Sequence, residues 1–177
     1  MRKFIVCSLM TPLLQNITLA ADDAGRISDS DNYFSCGYIN YAWGFVSNGF
    51  YINTKGEVYK YERRKLVGLE LADEELVGQI DLEELNEKVI LIAPASKGEV
   101  IRKQVAQDAG TKSCSAYISD ISSGENLIVN LGTYDISDFE HKNTSKEAQD
   151  LLNWLMDVKK KYIQPHNKRM EQTLDKP

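Results

Sequence analysis

The 177-residue chain carries 21 Lys and Arg against 26 Asp and Glu, a formal net charge of −5. An acidic surface repels phosphate backbones, so nucleic acid is not an expected partner. The length fits one domain that can bury a full core without a metal or many disulfides.

At the N-terminus, Arg2 and Lys3 precede an apolar run over residues 4–14, and small residues follow at Thr18 and Ala20. This is the order of a secretory signal peptide, residues 1–20, cleaved after Ala20. The run falls short of the roughly 20 apolar residues of a spanning helix, so no transmembrane anchor is expected. Losing Arg2 and Lys3 leaves 19 basic against 26 acidic side chains, a net charge of −7. The expected location is periplasmic or secreted. Cys7 departs with the signal, and in an oxidising compartment Cys36 and Cys114 pair as a disulfide. Closing a loop of roughly 80 residues, that bond stabilises by about 4 to 5 kcal/mol at most in the chain-entropy account.

Residues 21–35 are small and polar and are expected to be a flexible lead-in. A single domain over residues 36–164 follows. Residues 38–62 alternate with period two around two turn dipeptides, Asn48-Gly49 and Lys55-Gly56, and read as a three-stranded meander. Centring the first turn on Asn48-Gly49 pairs Val46 with Tyr51, Phe45 with Ile52 and Trp43 with Thr54. Taking Lys55-Gly56 as a two-residue turn pairs Thr54 with Glu57, Ile52 with Tyr59 and Phe50 with Tyr61. Both registers gather Ile39, Tyr41, Trp43, Phe45, Phe50, Ile52, Tyr59 and Tyr61 on one core face. The opposite, mixed face then presents Tyr38, Tyr51, Asn53 and Lys60 as the candidate binding residues.

A basic patch over residues 60–65 precedes an acidic stretch over residues 70–89. A short helical turn is expected over residues 73–77, ended by Gly78. Asp81 caps a helix with apolar residues at Leu82, Leu85, Val89 and Ile92, and Glu84 completes a capping-box spacing. Its acidic face reads as a solvated surface. Pro94 and Gly98 mark a break, and residues 99–107 fit either helix or strand. Residues 114–121 and 126–133 form a second hairpin; with Ser123-Gly124 as the tight turn, Ile118 pairs with Val129 and Ala116 with Leu131. After a polar connector, residues 134–143, Thr144 and Glu147 have capping-box spacing. Ala148, Leu151, Leu152, Leu155, Val158 and Tyr162 make an apolar stripe, with Trp154 at its edge. Lys159, Lys160 and Lys161 complement the helix dipole before Pro165 ends the helix. Residues 165–177 read as a disordered tail.

Catalytic signatures are sparse. Only His141 and His166 are histidines, and no nucleophile elbow, zinc-binding His-Glu-x-x-His, phosphate loop or Cys-x-x-Cys occurs. No cofactor is expected. The one cluster of titratable groups is Asp135, Asp138, Glu140 and His141, weak candidates for a cation site or for acid–base work. Its spacing matches no calcium loop, and carboxylates before a helix commonly satisfy free backbone N–H groups. Asp108-Ala109-Gly110 is a turn signal. Asn143-Thr144-Ser145 is a glycosylation sequon in a cell that glycosylates.

Trp43-Gly44-Phe45, residues 48–52 and 55–61, and Leu152-Asn153-Trp154-Leu155 together resemble a group of small exported bacterial proteins without an assigned function. The resemblance implies a fold and an export route and transfers no catalytic residue. The expected architecture is α+β: an antiparallel sheet of meander and hairpin, covered on one face by helices. The expected function is non-enzymatic binding of an envelope or secreted partner. The alternatives are a small extracytoplasmic hydrolase or metal-dependent enzyme using residues 135–141, and an inhibitor or immunity-type protein. Replacing His141 by Ala separates the first two, since only the enzyme loses turnover while staying folded.

Overall fold

The computed structural model describes residues 31–42, 44–66, 69–106, 109–119 and 126–165. The expected signal peptide, most of the lead-in, Trp43, Asp108, the Ser123-Gly124 turn and the tail from His166 lie outside the described residues. Among the described residues eight antiparallel strands form one sheet: β1 (Asn32–Asn40), β2 (Phe45–Asn53), β3 (Glu57–Leu66), β4 (Leu69–Gln79), β5 (Val100–Gln104), β6 (Thr111–Ser119), β7 (Asn126–Thr133) and β8 (Phe139–Asn143). Their order across the sheet is β4-β3-β2-β1-β6-β7-β8-β5. Helices α1 (Leu82–Val89), α2 (Ile92–Ala95) and α3 (Lys146–Val158) complete the α+β fold, and α3 continues into a π-helical turn, Lys159–Ile163. No helix among the described residues is long and apolar enough to cross a membrane.

The meander exists, but its first turn and both registers differ from the expectation. Asn48-Gly49 lies inside β2, where Gly49 faces Gly37 and Tyr38 faces Asn48 of the neighbouring strands. A Cβ on Gly49 would lie 2.1 Å from the Cys36 carbonyl oxygen, so this glycine serves close strand approach rather than a turn. The chain reverses instead around residues 41–44, where Gly44 has φ 115°, and β1 begins at Asn32, inside the expected lead-in.

The second reversal is a three-residue loop. Gly56 N donates to Asn53 O at 3.0 Å with Gly56 at φ 79°, and Asn53 Oδ1 accepts from Lys55 N and Glu57 N, both at 3.0 Å. That extra loop residue sets Ile52 opposite Val58 and Tyr51 opposite Tyr59, one residue from the two-residue-turn register. A slip of one residue exchanges the faces of a strand. Val58 therefore joins Phe34, Phe50 and Ile52 in the core, while Tyr59 stacks on Tyr51 with ring centroids 5.1 Å apart.

Residues 73–77 are strand rather than helical turn. The acidic β4 lies against the basic β3, with Glu70 opposite Lys65 and Glu75 opposite Lys60, and opposite charges across a pair favour the ladder. Residues 100–104 resolve as strand, and residues 139–143 of the expected connector form β8 against them. The later hairpin pairs Ala116 with Val129 and Ile118 with Leu127, two residues from the expected register. A shift of two preserves the faces, so Ala116 and Val129 remain in the core.

Asp81 caps α1 as expected, accepting from Glu83 N at 2.8 Å. The cap of α3 is Ser145, one residue beyond Thr144: Ser145 Oγ accepts from Ala148 N at 3.1 Å. Thr144 instead ties β8 to the start of β5, its Oγ1 accepting from Glu99 N at 3.0 Å. Ala148, Leu151, Leu155 and Val158 are buried, and Trp154 meets Phe34 edge-on at 5.2 Å while its Nε1 donates to Glu84 Oε1 at 2.7 Å. The disulfide joins directly opposed residues of β1 and β6, Cys36 and Cys114, both fully buried.

Candidate functional site

A cleft of about 500 Å³ opens beside the Gly37/Gly49 crossing. Alternation along the strands determines what enters it. Tyr38, Asn48 and Lys60 follow the core residues Cys36, Phe50 and Val58 on the same side of their strands, and Glu62 and Arg64 continue that row. From β6 comes Lys112, and from the end of β7 comes Tyr134, whose N–H donates to the Lys112 carbonyl at 3.0 Å. Lys159 and Ile163 close the cleft from the π-helical turn. Such widened turns recur at functional sites because they redirect a side chain that a regular helix would aim elsewhere.

Among the described residues four cations, Lys60, Arg64, Lys112 and Lys159, line this space against one carboxylate, Glu62. Arg64 pairs with Glu62 at 2.5 Å, and Lys112 with Asp135 at 2.7 Å. Lys159 Nζ stands 4.2 Å from the centroid of the Tyr134 ring, a cation–π contact. Its ammonium is held below the ordinary lysine range, first by burial, with Lys112 adding to it and Asp135 opposing. Burial also pushes the Tyr134 phenol well above its usual range, so it stays a neutral donor at physiological pH. The cleft thus offers cations in a partly desolvated setting beside three tyrosines, Tyr38, Tyr61 and Tyr134.

The candidate binding residues are divided by the two registers: the β1–β2 pairing places Tyr38, and the one-residue difference at the second reversal places Lys60, on the side away from Tyr51 and Asn53. Tyr38 and Lys60 line the cleft. Tyr51 and Asn53 occupy the alternate positions: the Tyr51 hydroxyl donates to Glu74, and Asn53 is engaged in its turn. Arg64, Lys112, Tyr134 and Lys159 escaped the sequence reading. The signal for Arg64 is the basic patch itself; Lys159 reads in the sequence as a complement to the helix dipole, and the strand order that brings Lys112 and Tyr134 alongside is not a local property.

Asp135, Asp138, Glu140 and His141 do not meet at one point, although Asp135 and Glu140 both line a second cleft of about 360 Å³ with Thr133 and Ser137. The carboxylate of Asp138 accepts from Ala109 N at 2.7 Å and Gly110 N at 3.0 Å, fixing the loop at the rim of the cleft. Asp135, at φ 64°, faces Lys112, whose hydrogen bond holds its carboxyl below the usual range. Glu140 is exposed on β8 opposite Lys103. His141 Nδ1 lies 3.4 Å from Asn130 Nδ2, and burial, then Arg102, lower the imidazole pKa. Among the described residues no group of three or more His, Cys, Asp or Glu side chains is placed to hold a metal ion.

The sequon asparagine is committed to the fold. Asn143 is 1% exposed; its Nδ2 donates to Ala95 O at 3.1 Å and Asn130 O at 2.9 Å, and its Oδ1 accepts from Ser145 N at 3.0 Å. A glycan on this nitrogen is incompatible with the folded core.

No protein-family model matches the chain, and comparison with curated proteins and with solved structures found no significant match.

Proposed function

We propose that the chain is an exported, non-enzymatic binding protein and that the cleft of Tyr38, Lys60, Lys112 and Lys159 receives a small organic anion. One observation carries this reading: a chain of net charge −5 concentrates four cations around one cleft that, among the described residues, has a single lining carboxylate. The volume of about 500 Å³ lies in the range of small-molecule sites, roughly 300 to 1,000 Å³. Tyr38 and Tyr134 give a ligand with an apolar or sugar face something to stack on. In this reading the helices cover one face of the sheet, and ligand enters beside the π-helical turn, whose Lys159 and Ile163 form one wall of the cleft. Export rests on the basic-apolar-small order of residues 1–20, on the buried disulfide and on the resemblance to small exported bacterial proteins.

The test is titration with defined probes, inorganic phosphate, glucose 6-phosphate and citrate, followed by amide and lysine NMR shifts. Saturable shifts at Lys60, Lys112 and Lys159, absent with neutral glucose and lost in Lys60→Glu/Lys159→Glu, support the reading. Saturable binding of an anion that the double variant retains refutes it.

A further inference from the structure

The two outermost strands of the sheet carry opposite charge. At one end β4 presents Glu70, Asp73, Glu74 and Glu75, all exposed. At the other end β5 is exposed at all five residues and presents Arg102 and Lys103. Apolar side chains accompany both: Leu71 and Leu76 on β4, Val100, Ile101 and Val105 along β5, each between 42% and 53% exposed. Among the described residues neither strand has a neighbour on its outer side. The backbone of β5 is also available. Thr144 N donates to Glu99 O and Val105 N to Asp138 O, bonds that flank the β5–β8 ladder. Hydrogen-bonded pairs alternate in an antiparallel ladder, so Val100, Arg102 and Gln104 direct their N–H and C=O groups outward.

We infer that the β5 edge of one copy pairs with the β4 edge of a second copy, extending the sheet from molecule to molecule. Exposed edges are templates for strand addition unless charge prevents it. Here charge prevents the like pairings: two β4 edges bring carboxylates together and two β5 edges bring cations together. It favours the unlike one. The antiparallel register that sets Lys103 opposite Asp73 also sets Arg102 opposite Glu74, Val100 opposite Leu76 and Val105 opposite Leu71. Charge then meets opposite charge at two of these positions and apolar meets apolar at the other two, while Ile101 faces Glu75 and Gln104 faces Ala72. Because the two edges differ, the contact is heterologous and leaves a free edge at each end, so assembly grows with concentration rather than stopping at a dimer.

Sedimentation velocity of the full chain over rising concentration at low salt tests this. Wild type is expected to form species that continue to grow beyond two copies. Lys103→Glu or Asp73→Lys, each leaving the Arg102 guanidinium 3.8 Å over the Phe139 ring, is expected to weaken association roughly tenfold. The chain carrying both reversals, and an equal mixture of the two single variants, recover it. Thermal melts of each variant confirm that the fold is retained. A wild type that stays monomeric throughout, an assembly that stops at two copies, or a double reversal that does not recover association overturns the inference.

Discussion

A Cβ on Gly37 would stand 2.3 Å from the phenolic oxygen of Tyr61, two strands away. Gly37, Gly49 and Tyr61 are in register across β1, β2 and β3, so the tyrosine reaches over one glycine to rest its hydroxyl against the other. Gly37→Ala is expected to destabilise by about 1 to 3 kcal/mol, since a buried ring has little room to yield. Tyr61→Phe removes the clashing oxygen, and urea titration of the four chains in that cycle should show a smaller alanine cost in the Phe background. Equal costs in both backgrounds would separate the two residues energetically.

The disulfide closes a sequence separation of 78 residues between two fully buried sulfurs. Its removal by Cys36→Ser/Cys114→Ser should lower stability by up to about 4 to 5 kcal/mol, the full chain-entropy figure. Thiol labelling of the denatured, unreduced mature chain should find no free cysteine. Labelling at both positions would contradict the pairing and weaken the case for export.

Asn143 bonds α2, β7 and the cap of α3 at one buried point. Replacing it by Ala removes the side-chain donor to Asn130 O and the acceptor of Ser145 N, while Ala95 O still accepts from Gly98 N at 3.2 Å; each unsatisfied buried group costs about 1 to 3 kcal/mol. Denaturant unfolding of Asn143→Ala should therefore show a loss of at least about 2 kcal/mol. The surface replacement Asn153→Ala on α3 should change little.

His141 is held below its ordinary pKa, by burial first and Arg102 second. The unfolded chain then takes up a proton more readily than the folded one. Stability from this residue is complete above about pH 6.5, the unfolded value, and declines as pH falls below it toward the folded pKa. The melting temperature of wild type should fall more steeply between pH 7 and pH 5 than that of His141→Gln. Parallel slopes would mean that the imidazole titrates alike in both states.

Local signals located most elements, whereas long-range ones set the registers. The Asp81 cap, the α3 stripe and the Cys36 to Cys114 bond follow from side-chain chemistry within reach of a sequence. Asn48-Gly49 failed as a turn because Gly49 is required where β1 approaches within a Cβ radius, a contact with a partner residue elsewhere in the chain. The Lys55-Gly56 reversal was placed correctly and miscounted by one, since Asn53 Oδ1 stabilises a three-residue loop. That single residue set Lys60 on the other side of the sheet from Tyr51 and Asn53, and the β1–β2 pairing, with Tyr38 opposite Asn48, set Tyr38 there too. The acidic run in β4 looked helical until the basic β3 beside it supplied the opposite charges. Cleft residues Lys112, Tyr134 and Lys159 depend on strand order and on the π-helical turn, neither of which has a local signature.

We propose that the cationic cleft binds an anion without chemistry at residues 135–141. Calorimetric titration of glucose 6-phosphate into wild type, His141→Ala and Lys60→Glu/Lys159→Glu distinguishes binding from turnover. Wild type and His141→Ala are expected to share one dissociation constant, the double variant to show no detectable binding, and no sample to release phosphate. Phosphate release by wild type that His141→Ala abolishes while remaining folded would contradict this proposal.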